Sequence, residues 1–144
     1  QGPTGESNQY IILPRHRVLS IADTEQHQLH QLLAIFAVGS QAAVMPNSPL
    51  LAKYKQTLPK DVLAAITTVK NISSDDFDAV LHHGNREEIF SLQQEIATRS
   101  GAIVGITHVE PNETIPLERL VIERAISVNT AAAGGNASLM TMTD

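Results

Sequence analysis

The side chains best suited to chemistry are histidines in two close pairs, His27 with His30 and His82 with His83. Two imidazoles three residues apart share a helix face and could begin a zinc site, but neither pair has a matched third ligand in the sequence. His82 and His83 follow an apolar run with strand character, so they are expected to point to opposite sides of it and to act as solvated or hydrogen-bonded imidazoles. The acidic group Asp75, Asp76 and Asp78 lacks the glycine and the terminal glutamate of a calcium loop and reads as a turn. Ser20, Ser40, Ser91 and Ser138 are potential nucleophiles, yet none lies in a Gly-x-Ser-x-Gly elbow. With 0 cysteines there is no thiol nucleophile, no thiolate metal site and no disulfide, which suits a reducing compartment.

Anion chemistry is the next possibility. A dinucleotide site needs a glycine-rich turn between a strand and the following helix, because only glycine lets the backbone approach a pyrophosphate closely. After the run Arg17 to Ala22 the chain instead reads Asp23-Thr24-Glu25-Gln26, and the second helix opens on Pro46-Asn47-Ser48-Pro49. Side chains and negative charge stand where a phosphate would need bare amides. The pair Gly134-Gly135 before Asn136 could form an anion-binding nest, but no helical pattern follows it, and it reads as part of a docking tail.

The elements that must position these residues alternate between strand and helix. Gln9 to Leu13 and Arg17 to Ala22 read as strands divided by Pro14, either separate or paired as an edge hairpin. Asp23 or Thr24 caps a helix carrying Leu29, Leu32, Leu33 and Phe36 at helical spacing, and Gly39 ends it. Gln41 to Met45 reads as a strand, Ser48-Pro49 opens a helix toward Gln56, and Asp61 to Ala65 adds a helical turn. Strands are expected at Ile66 to Ile72 and Phe77 to Leu81. Asn85 with Glu88 forms a capping box for a helix bearing Ile89, Leu92 and Ile96. Ala102 to Val109 is a strand, Pro116 opens a short helix to about Arg124, and Ala125 to Asn129 is the last strand. Such alternation predicts an α/β fold: a three-layer, Rossmann-like, largely parallel sheet covered by helices.

Composition limits the rest. A chain of 144 residues with 42% hydrophobic side chains and 3% aromatics is expected to form one domain with an aliphatic core. Its formal charge of -5, with no basic cluster, argues against nucleic-acid binding. No stretch reaches the length of a membrane span. Residues 1–8 have no signal-peptide pattern and read as a linker, residues 9–130 as the α/β domain and residues 131–144 as a docking tail. The stretch from Ala125 to Thr143 carries no charge and no aromatic ring. It is expected to gain its order by lying against another surface, as an added strand.

Those last residues also carry a resemblance. Arg119-Leu-Val-Ile-Glu-Arg124, followed by Ser127-Val-Asn-Thr-Ala-Ala-Ala-Gly-Gly-Asn-Ala-Ser-Leu-Met140, closely resembles the C-terminal end of long bacterial proline utilization A (PutA) proteins. Gly2-Pro3-Thr4-Gly5-Glu6, Pro14-Arg15, Val18-Leu19 and Ala22-Asp23 resemble the opening of the same domain. The family joins a flavin-dependent proline dehydrogenase to an NAD-dependent glutamate-semialdehyde (pyrroline-5-carboxylate) dehydrogenase. The resemblance implies an aldehyde-dehydrogenase-superfamily fold without chemistry of its own. It implies a lid over the channelling cavity that supports the aldehyde dehydrogenase module through Ser127, Val128, Asn129, Thr130, Gly134, Gly135, Asn136, Ser138, Leu139 and Met140. FAD and NAD would then belong to the parent enzyme and no cofactor to this chain, in the cytoplasm, with homo-oligomers or peripheral association of the parent with the inner membrane left open. The rival expectation is a free-standing module that binds small molecules or anions. An independent hydrolase lacks any residue constellation.

Overall fold

The structure, a computed structural model, describes residues 6–129. Its centre is the run Arg17–Ala22 (β2), in which Val18, Leu19 and Ser20 are all fully buried because both faces of the strand are covered. Gln41–Val44 (β3) and Ala79–His83 (β5) flank it, with Ile66–Thr68 (β4) and Gly105–His108 (β6) at the two edges. All of these strands run parallel, in the order β4-β3-β2-β5-β6.

Alternation along the strands divides the core in two. Val18, Ala42, Val44, Ala79 and Leu81 meet Leu32 and Ile35 of Glu25–Ala37 (α1) and Leu50 of Pro49–Tyr54 (α2). Leu19, Ala43 and Val80 meet Leu92 and Ile96 of Arg86–Ala97 (α4) on the other face. Lys60–Ala64 (α3) leads into β4. Helices on both faces of a parallel sheet are the three-layer α/β fold expected from the pattern.

Local chemistry explains the differences in detail. The alternative of an edge hairpin fails because both sides of β2 are taken by β3 and β5. Glu6–Pro14 (β1) pairs instead with Val121–Asn129 (β7) in a separate two-stranded sheet. The strand expected to reach Ile72 stops at Thr68, because the Asp75 carboxylate accepts the N–H groups of Lys70 (2.7 Å) and Asn71 (3.1 Å) and turns the chain. Similarly, the Asp78 side chain accepts from the amides of His16 and Arg17, both at 3.1 Å, so β5 begins at Ala79, two residues after the expected Phe77, and runs on through both histidines. After Pro116 a single 3-10 turn, Leu117–Leu120, replaces the expected helix to Arg124; the β-branched pair Val121-Ile122 enters β7 at once.

Residues 14–122 form one compact unit; β1 and β7 belong to a second, built among the described residues from 6–13 and 123–129. β1 includes Glu6, Ser7 and Asn8, residues that the sequence pattern read as linker. The expected docking tail, 131–144, lies outside the described residues.

Candidate functional site

From β2 the chain continues through α1 to β3, and from β5 through α4 to β6, on opposite sides of the sheet. The two connections diverge at the carboxyl ends of β2 and β5, the place where a parallel sheet leaves a crevice. There the structure has a cavity of about 660 Å³ whose lining includes Asp23, Gln28, Ser48, His82, His83 and Glu88.

His83 faces α1. The Gln31 side chain donates from Nε2 to the Ile21 carbonyl (2.9 Å) and bonds His83 Nδ1 (2.8 Å), while its Oε1 accepts the Ser20 hydroxyl (2.5 Å). Because a backbone carbonyl can only accept, the amide orientation is fixed and His83 Nδ1 must be the acceptor, leaving the proton on Nε2. Burial and the neighbouring His27, stacked at 4.7 Å, push the His83 pKa down to about 4. His27 Nδ1 in turn lies 2.7 Å from an Asp23 carboxylate oxygen, an interaction that holds the Asp23 pKa below its usual value. Gln28 is equally buried, its Oε1 accepting from the Ser48 hydroxyl (2.6 Å) and the Leu50 amide (3.0 Å) at the start of α2.

His82 faces the other way, as strand alternation requires. Its Nδ1 sits 2.9 Å from Nδ1 of His108, its register partner on β6. His108 Nε2 in turn lies 3.3 Å from a Glu110 carboxylate oxygen, so the two rings and the carboxylate form a chain. Burial, then His108, lowers the His82 pKa. Both histidines of β5 are thus buried and hydrogen-bonded; neither is solvated. Among the described residues no group of three or more histidine, aspartate or glutamate side chains could hold a metal ion.

The crevice does not fit a pyrophosphate. No lysine or arginine lines it, and Asp23, Glu88 and Glu95 contribute carboxylates. The N-terminus of α4 is already served by its capping box: Asn85 Oδ1 accepts the amides of Glu87 and Glu88, and Glu88 accepts the Asn85 amide, each at 2.9 Å. Gly84 offers no free approach either, since a Cβ there would collide with the Glu88 carboxylate and meet the His82 ring at 3.0 Å. The nearby hydroxyls of Ser20 and Ser48 are spent on the glutamines of α1, with no histidine poised as their base.

The expected interface falls mostly elsewhere. Ser127 and Val128 are exposed on β7, and Asn129 ends that strand; Thr130, Gly134, Gly135, Asn136, Ser138, Leu139 and Met140 lie outside the described residues. The unit built from β1 and β7 exposes Tyr10 (61%), Ile12 (58%) and Val128 (52%). A lone two-stranded sheet is marginal in water, and this one leaves several large apolar side chains uncovered. The glutamine network escaped sequence reasoning, although Gln28 and Gln31 stand on the same stripe as Leu32 and Ile35.

No family model matches the sequence. Among curated proteins, the "Bifunctional protein PutA" of Escherichia coli is 49% identical over 144 residues, covering 98% of this chain and 11% of that protein. The Rhizobium meliloti protein of the same name is 36% identical, covering 96% of this chain and 12% of its own length. The chain is a segment of the PutA family. It spans about a ninth of the length of these PutA relatives (11% of the Escherichia coli protein). Solved structures agree on the fold: a PutA with proline bound in remote sites matches over 75% of the segment and 13% of that chain, with TM-score 0.57 and 23% identity. A Corynebacterium glutamicum NAD-dependent benzaldehyde dehydrogenase matches over 75% of the segment and 27% of its chain, with TM-score 0.51 and 10% identity. The PutA segment thus has an aldehyde-dehydrogenase-type α/β fold whose crevice is lined by its own carboxylates and imidazoles. No helix among its described residues is long and apolar enough to cross a membrane.

Proposed function

We propose that this segment is a noncatalytic domain of a PutA enzyme. It lies as a lid over the cavity through which the parent passes its intermediate, and it braces the aldehyde dehydrogenase module. On this reading the parent oxidises proline to glutamate in the cytoplasm, and its FAD and NAD are held by residues outside the segment. One observation carries the reading: β1 and β7 form a unit with Tyr10, Ile12 and Val128 largely exposed, a surface that becomes stable when it packs on a larger body. Ser127, Val128, Asn129 and Thr130, with Gly134, Gly135, Asn136, Ser138, Leu139 and Met140 beyond them, supply that contact.

Deleting residues 131–144 from the full-length enzyme tests this. NADH formation from proline and from the aldehyde are both expected to fall, with proline oxidation by the flavin site unchanged; undiminished coupled turnover overturns the proposal.

A second reading, a module that binds a small molecule, is favoured by the 660 Å³ crevice itself. Its acidic, lysine- and arginine-free lining supports a neutral or cationic ligand over an anion. Calorimetry with nucleotides, phosphate and amino acids separates the two, since the lid reading expects no heat.

A further inference from the structure

The parallel sheet ends at β6, which pairs with β5 and with no other strand among the described residues. Val109 donates its N–H to the His82 carbonyl (2.9 Å), so the two-residue alternation of a strand turns the main-chain groups of Ile106 and His108 outward. Unpaired groups on an edge are a template for another strand.

Grooves flank this edge on both faces of the sheet. On the α4 face a groove of about 390 Å³ is lined by Ile96, Ile103, Val104 and Ile106 together with Gln93 and Arg99, whose guanidinium is engaged with the Ile72 and Asp75 carbonyls, and Ile103 is 97% exposed. On the opposite face a groove of about 430 Å³ is lined by Thr107 and the cations Arg15 and Arg119. The Arg119 guanidinium has no hydrogen bond or ion pair among the described residues. Side chains of an added strand alternate between the faces, so successive residues would meet the aliphatic side chains of one groove, where Arg99 is already bonded to carbonyls, and the arginines of the other.

We propose that the β6 edge is the docking site for an extended segment from the rest of the PutA polypeptide, with alternating aliphatic and acidic side chains. Most of the parent is available to supply it, since the chain spans 11% of its Escherichia coli relative. The stretch 131–144 does not have this alternation, its one acidic residue being Asp144. A second copy set edge to edge would gather Arg15 and Arg119 of both copies on one face, a like-charge arrangement. The inference rests on the chain being a PutA segment and is independent of the role proposed for β1 and β7.

The test uses the full-length protein with Ile103 replaced by photoreactive p-benzoylphenylalanine. After irradiation, mass spectrometry is expected to find a cross-link to a peptide of the same polypeptide outside residues 1–144 in which acidic and aliphatic residues alternate. Arg119→Glu is expected to lower its yield about fivefold, as loss and reversal of one exposed charge pair would. A cross-link to residues 130–144, to a second copy or to a separate protein overturns the proposal. So does the absence of any cross-link, or a yield indifferent to Arg119→Glu. None of these results alters what deletion of residues 131–144 should do.

Discussion

Replacing Gln31 with leucine should reveal how much of the domain's stability runs through the network between α1 and the sheet. The side chain is fully buried and makes three hydrogen bonds, to the Ser20 hydroxyl, the Ile21 carbonyl and His83 Nδ1. Gln31→Leu keeps most of the volume but strands those three groups, at about 1–3 kcal/mol for each one left unsatisfied. The added apolar burial returns about 1–2 kcal/mol, and the open crevice lets water reach part of the site, so a net loss of about 2–4 kcal/mol is expected. With a slope near ~2 kcal/mol per molar urea, the unfolding midpoint followed by far-ultraviolet circular dichroism should drop by about 1–2 M. Adding Ser20→Ala to Gln31→Leu removes one stranded hydroxyl and should recover part of the loss, although Ser20→Ala alone destabilises. A loss below about 1 kcal/mol, or strictly additive effects of the two substitutions, would refute the reasoning.

Two further outcomes concern pH and capping. His83 has its folded-state pKa lowered to about 4, whereas in the unfolded chain it titrates near ~6.5, so the unfolded state binds the extra proton between those values. Stability should therefore fall as pH is lowered from about 6.5 toward about 4, by at most ~3 kcal/mol from this group; a urea midpoint unchanged across that window in wild type contradicts it. Asn85→Ala removes the acceptor for the Glu87 and Glu88 amides and should cost about 1 kcal/mol, read as a lowered urea midpoint, while Asn85→Asp should retain most of it.

The helices show where sequence pattern suffices and where it does not. In α4 the cap, the capping-box glutamate and the stripe of Leu92 and Ile96 all agree, and each stands where the pattern put it. In α1 the element was legible but its orientation was not: Leu29 (46%) and Leu33 (59%) are exposed, while Gln28 and Gln31 are buried. Helical periodicity supplies two overlapping stripes there, and the choice is made by partners distant in the chain, Ser48 and His83. Strand ends differ from the pattern for a related reason, because Asp75 and Asp78 bind main-chain amides and take apolar residues such as Ile72 and Phe77 out of the ladder while keeping them in the core. The crevice was recognisable as unsuited to phosphate from Asp23-Thr24-Glu25-Gln26, but the two imidazole pairings depend on His108 and Gln31 arriving from other elements.

The pairing of β1 with β7 joins parts of the chain more than a hundred residues apart, from Pro14 to Val121. Closing so long a loop in an unfolded chain is entropically costly, yet once the parallel sheet has assembled the Arg15 amide already donates to the Leu120 carbonyl at 2.9 Å. The ribbon is therefore expected to be the last part to form and the first to open. Its amides should exchange with solvent ahead of every strand of the parallel sheet, so a partner that bound this ribbon would act on the least protected part of the chain.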